Sequence, residues 1–136
     1  MRIVLFSLAA LLLLTRSGPS ADKPKLDLRS KLMAEKLKNS QTLLEGLALN
    51  DFEKIKDSAQ ELIRISKAAE WSAYKTPMYE VHTNNFRRAA ETIIQKAKDK
   101  NIDGATLAYV DMTVTCVRCH QHTREIRDTS LAPREE

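Results

Sequence analysis

The sequence predicts an all-α protein, an antiparallel bundle of four helices in one domain. Three observations carry that expectation. Breakers are scarce, with three Gly and four Pro in 136 residues, and Pro24, Gly46, Pro77, Gly104 and Pro133 divide the chain at telling places. The segments between them are rich in Ala, Leu, Lys, Glu and Gln, which lose little side-chain freedom in a helix. Within each segment apolar residues recur at steps of three and four, the period of one helical face.

The first twenty residues read as an address. Met1-Arg2 is a short basic start, Ile3 to Leu14 is an almost unbroken apolar run, and Thr15 to Ala21 turns small and polar. This is the layout of a secretory signal peptide over residues 1–20, cleaved after Ser20 or Ala21, with residues 21–136 as the exported domain. As a helix the apolar run would reach only ~18 Å, well short of a bilayer core. No stable membrane anchor is therefore expected after cleavage, and a periplasmic location follows. The chain has 22 Lys and Arg against 18 Asp and Glu; losing Arg2 and Arg16 leaves 20 against 18, a net charge of +2. No basic stripe with interleaved aromatics appears, so no nucleic-acid partner is expected.

The first helix spans about Leu26 to Leu49, with Leu26, Met33, Leu37, Ser40, Leu44 and Leu47 on one face. Asn50, with Glu53 three residues on, offers a capping box for the second. That helix runs from about Asp51 to Tyr74, with Phe52, Ile55, Ala59, Leu62, Ser66 and Ala69 inward. Lys75 to Thr83, which contains Pro77, reads as a loop. The third helix follows from about Asn84 to Lys100, turning Phe86, Ala89, Ala90, Ile93 and Ala97 inward. Asp103 caps a fourth that runs to about Arg127, where Leu107, Val110, Val114 and Val117 share a face. Several residues of this last helix are β-branched and would favour a strand singly, but a lone strand would have no partner. Asp128 to Glu136 is a polar tail.

One motif carries chemistry. Cys116-Val117-Arg118-Cys119-His120 is Cys-x-x-Cys-His, the attachment signal for c-type haem. Two thiols three residues apart on a helix can add to the two vinyl groups on one porphyrin edge, and His120 then reaches the iron as axial ligand. A disulfide oxidoreductase would want this pair near a βαβ pattern, and a zinc site would need a fourth ligand from His82 or His122. Export adds weight, since c-type haem is attached outside the bacterial cytoplasm. The expected cofactor is one covalent haem c, which makes the cytochrome c maturation machinery a partner.

A haem motif near the C-terminus of a four-helix bundle resembles the cytochrome c-prime family, the class II c-type cytochromes. The likeness runs from about Leu26 to Arg127. Cys116 to Arg124 matches the family's Cys-x-x-Cys-His-x-x-aromatic-Arg, with Thr123 in place of the aromatic. Trp71-Ser72-Ala73-Tyr74 is similar to the family's Trp-x-x-aromatic ending of the second helix. Arg29 and Met33 match an Arg followed four residues later by the group on the distal side of the iron, with Leu28 where a Tyr is usual. The resemblance implies Met33 as second axial ligand and a low-spin electron carrier. It also implies that Arg29 and Arg124 lie near the haem edge, Arg29 against a propionate. It admits a homodimer as well, since members often pair through their first two helices.

These residues have plainer readings. Met33 would serve as a core methionine, and a register slip of one would put Leu32 over the iron. Arg29 and Arg124 would be solvated charges, Met112 a core residue, Met78 part of the loop, and His82 and His122 solvent-facing. Trp71 would pack in the core or at the haem margin. Three functions remain: an exported electron carrier with His120 and Met33 as ligands and redox proteins as partners, a five-coordinate haem protein that binds nitric oxide or carbon monoxide, or a structural bundle whose motif binds no haem. No Ser/His/Asp set or phosphate-cradling Gly loop points to an enzyme.

Overall fold

The computed structural model describes residues 23–70 and 74–131. The leader at 1–20, Trp71, Ser72 and Ala73, and the last five residues lie outside the described residues. Four helices follow one another: α1 Lys23–Ala48, α2 Phe52–Glu70, α3 Pro77–Lys98 and α4 Ile102–Leu131. Each packs on the next, and α4 returns to α1, where the Tyr109 hydroxyl donates to the Ser40 carbonyl at 3.2 Å. Among the described residues no helix is long and apolar enough to cross a membrane.

The α1–α2 and α3–α4 connections are the same turn made twice. In each, a residue with left-handed backbone ends the helix, Asn50 at φ 56° and Lys100 at φ 54°, and the next amide bonds back to a carbonyl of the last turn at 2.9 Å. The following residue caps the new helix: the Asp51 carboxylate accepts from the Lys54 amide at 3.0 Å, and the Asn101 side chain accepts from the Gly104 amide at 2.8 Å. The caps are thus Asp51 and Asn101, each one or two residues before or after the Asn50 and Asp103 that the sequence suggested. Asn50 instead supplies the left-handed turn, a conformation its short polar side chain tolerates. Gly46 is needed where the first turn folds over, because a Cβ there would stand 3.0 Å from Ile55 Cγ1 and 3.1 Å from its amide nitrogen.

The expected loop at 75–83 is confined to Lys75 and Thr76, and residues 77–83 belong to α3. Thr76 has extended backbone and accepts from the Tyr79 amide at 3.1 Å, and Pro77 opens α3. A proline in the first turn lacks only an N–H that no carbonyl would have met. At the other end α4 continues past Arg127 to Leu131, into part of the expected tail.

Burial agrees with the expected faces of α2 and α3, overturns that of α4 and overturns part of that of α1. Ile55, Ala59, Leu62, Ser66, Ala69, Phe86, Ala89, Ala90, Ile93 and Ala97 are all buried. On α1, Leu47 is buried as expected, but Leu37 is 62% exposed and Leu44 51%, and Leu32 and Leu43 turn inward instead. On α4 the buried set is Ala105, Ala108, Met112 and Thr115, and Leu107 is 72% exposed, with Val110, Val114 and Val117 also outside. Both helices carry two stripes with helical spacing. The stripe with the smaller side chains is buried on α4, because Ala105 and Ala108 let the neighbouring backbone approach closely. The core lies toward the end where the two tight turns sit, built on Leu43, Ile55, Leu62, Ile93 and Met112.

Candidate functional site

At the other end of the bundle the helices enclose a cavity of about 450 Å³, a size within the range of cofactor sites. All six residues singled out from the sequence line it: Arg29 and Met33 from α1, and Cys116, Cys119, His120 and Arg124 from α4. Helical period explains the α4 set. Cys116, Cys119, His120 and Thr123 recur at steps of three and four, so one stripe of the helix presents them together. Arg29 and Met33 stand one turn apart on α1 for the same reason. Met33 is half-buried and on the cavity wall, while Leu32 is buried against Ile65 and Ala69 and does not line the cavity. The register slip that would exchange them is therefore not the one adopted.

Six further lining residues, Lys36, Tyr79, His82, Thr83, Thr115 and Arg127, were not placed there by the sequence. Lys36 lies one turn beyond Met33, with its ammonium nitrogen 3.8 Å from the centre of the buried Phe86 ring. Burial pushes the Lys36 ammonium below its ordinary value, partly offset by attraction from Cys116 and Cys119. Burial pushes both thiols up, and the Lys36 charge pulls them back. Burial thus favours the neutral thiol at both Cys116 and Cys119. Tyr79 and His82 enter from α3 and Arg127 from α4. Tyr79 and His82 were hidden by the misplaced start of α3, whereas Arg127 already lay on the expected α4 and no local pattern singled it out. Thr76-Pro77, a capping residue followed by a first-turn proline, was the signal available for the first of these.

The histidines also need correction. His82 and His122 are half-buried, not solvent-facing. Their rings lie 5.9 Å apart, and His122 Nε2 is 2.9 Å from the Thr76 hydroxyl. His120, by contrast, exposes much of its surface while lining the cavity. Its carbonyl accepts from the Thr123 hydroxyl at 3.1 Å, so the residue standing where an aromatic was expected braces the helix turn that carries the imidazole. Met112 is fully buried in the core, and Met78 is exposed in the first turn of α3, off the cavity.

Charge is distributed unevenly around this space. Arg29, Arg124 and Arg127 stand toward the start of α1 and the end of α4, which is the open end. The Arg29 guanidinium carbon lies 5.0 Å from the Tyr74 ring centre, a cation–π contact. Cys116, Phe86 and Lys36 lie deeper, against the core. Among the described residues no three of His, Cys, Asp or Glu form a set able to hold a metal ion alone, so the four-ligand zinc alternative finds no such group. Comparison with protein-family models, with curated proteins and with solved structures returned no match.

Proposed function

We propose that this chain is an exported carrier of single electrons, similar to the cytochrome c-prime family, with one haem c held in the cavity by Cys116 and Cys119. The observation that carries the reading is the convergence of both thiols, His120, Met33 and two arginines on one space. The donor chemistry suits that group. Two thiols in register could each form a thioether, His120 of α4 and Met33 of α1 could hold the iron, and arginines at the mouth would meet the propionates. Held by His120 and Met33, a bound haem iron would supply a one-electron couple, and the Met33 thioether would favour its ferrous state.

The chain's own residues then have distinct tasks. His120 and Met33 sit on helices fixed by the filled half of the bundle, so both donors are held in place through a change of oxidation state. Arg29 and Arg124 neutralise carboxylates that would otherwise oppose burial. Phe86 and Thr115 close the floor against water. No substrate site is required, and redox proteins would be the partners, with no catalytic role for the chain itself. The leader at 1–20 would direct export to the periplasm, where the maturation machinery attaches haem.

Two measurements test this. The pyridine haemochrome spectrum of the purified protein should report covalent haem, lost in Cys116→Ser/Cys119→Ser; its absence from the wild type would end the reading. Electron paramagnetic resonance of the ferric protein should give a low-spin signal that Met33→Ala converts to high-spin. A wild type already high-spin, with rapid carbon monoxide uptake when reduced, would instead make this a gas-binding protein.

A further inference from the structure

The outer surface of α4 carries a second pattern that the cavity does not use. Leu107, Val110, Val114 and Val117 are all exposed, and their steps of three, four and three are those of a coiled-coil seam. They occupy an arc of roughly 80° on the helix. Leu37 and Leu44, exposed on α1, continue this apolar strip across the seam that Tyr109 and Ser40 close. The positions interleaved with them, Ala34 and Gln41 on α1 and Thr113 on α4, are exposed and uncharged. In a chain with 29% charged residues, an apolar face two helices wide, with charges only at its edge (Asp111) and its ends (Asp103 and Arg118), is a surface built to be covered.

The charges at its ends say by what. Asp103 and Arg118, both exposed, bracket the α4 stripe, and their midpoint falls between Val110 and Asp111. If α4 of a second copy lies antiparallel across this stripe, Arg118 meets Asp103 of the second copy at both ends. Leu107 then meets Val114 of the second copy, and Val110 sits at the crossing. The other two-fold arrangement sets Arg118 against Arg118 and is repulsive. The face thus complements itself in one orientation.

We propose that this protein forms a two-fold dimer through α4, with Leu37 and Leu44 of α1 at its margin. The proposal does not depend on a haem. It differs from pairing through α1 and α2, which the family likeness admits. The groove between those helices is already bridged, by Lys54 to Glu45 at 2.9 Å and Arg64 to Glu35 at 4.0 Å.

Sedimentation equilibrium of the purified protein over a dilution series tests the proposal, with helicity by circular dichroism as the check on folding. The wild type should dissociate reversibly from dimer to monomer. Val114→Glu should be helical and monomeric throughout. Arg118→Asp and Asp103→Arg should each weaken self-association by about tenfold or more, and an equimolar mixture of the two should regain wild-type affinity as a heterodimer. A wild type that stays monomeric overturns the proposal. So does a dimer that Val114→Glu leaves intact, or a mixture that fails to pair.

Discussion

The same four helices build two unlike halves. Toward the tight turns, inward positions hold Leu43, Ile55, Leu62, Ile93 and Met112, all fully buried, and they fill the space between helices. Toward the other end, the corresponding positions hold Ala69, Thr83, Thr115, Cys116 and Cys119, and about 450 Å³ is left open. The same helices run through both halves; what differs along the cavity wall is side-chain volume. A bundle whose filled half is sufficient to hold it together can leave the rest for function. The hollow end is then shaped by what it omits.

That contrast predicts its own largest effect. Leu62→Ala, in the filled half, should lower unfolding free energy by about 2–5 kcal/mol in urea titrations, because a cavity opens among rigid neighbours. Met33→Ala, in the protein lacking haem, should lose less than about 1 kcal/mol, since its side chain already borders a void. Equal losses would mean that the two halves are packed alike.

Lys36 marks the border between them. Its ammonium is less favourable folded than unfolded, so the unfolded chain binds more protons as pH approaches the ordinary lysine value of 10.5. Stability should therefore rise with pH toward that value and be lower at neutral pH. Measured in a Cys116→Ser/Cys119→Ser background, to remove the opposing thiol titration, Lys36→Met should be more stable at pH 7 and lack the rise. A parallel pH profile for the two proteins would show that the ammonium is not desolvated.

Smaller effects belong to the connections. Thr76→Ala should cost about 1 kcal/mol through loss of the α3 cap, and nuclear magnetic resonance should show His122 and the nearby His82 shifted as their hydroxyl neighbour disappears. Lys100→Gly should stabilise by at most about 1 kcal/mol, by relieving the left-handed backbone at φ 54°. Asn50→Gly, at the matching position of the first turn, should gain less, because Asn already tolerates that conformation.

Legibility in the sequence followed ambiguity of pattern. On α2 and α3 one stripe alone is apolar, and Ile55, Leu62, Phe86 and Ile93 went inward as their spacing required. On α1, adjacent Leu43 and Leu44 each extend a helical stripe, and on α4 the stripe of Ala105, Ala108 and Met112 competes with the more hydrophobic one of Leu107, Val110 and Val114. Hydrophobicity alone favours the wrong stripe on α4, since close approach to neighbouring helices rewards small residues. The site was legible where it is local, as in Cys116 to His120, or where a helix offset carries it, as from Arg29 to Met33. Lys36, Tyr79, His82 and Arg127 were not, because their membership depends on how distant helices align.

By itself the sequence determined four helices, the approximate places where they turn, and a Cys-x-x-Cys-His stripe on the last. These are consequences of local backbone preference and of spacing along one chain. Only the tertiary structure decided which of two stripes on α1 and α4 faces inward, that Met33 and not Leu32 borders the cavity, and that His82 of α3 reaches its wall. Those outcomes rest on the fit of side-chain volumes between helices far apart in sequence, a quantity that no single segment contains.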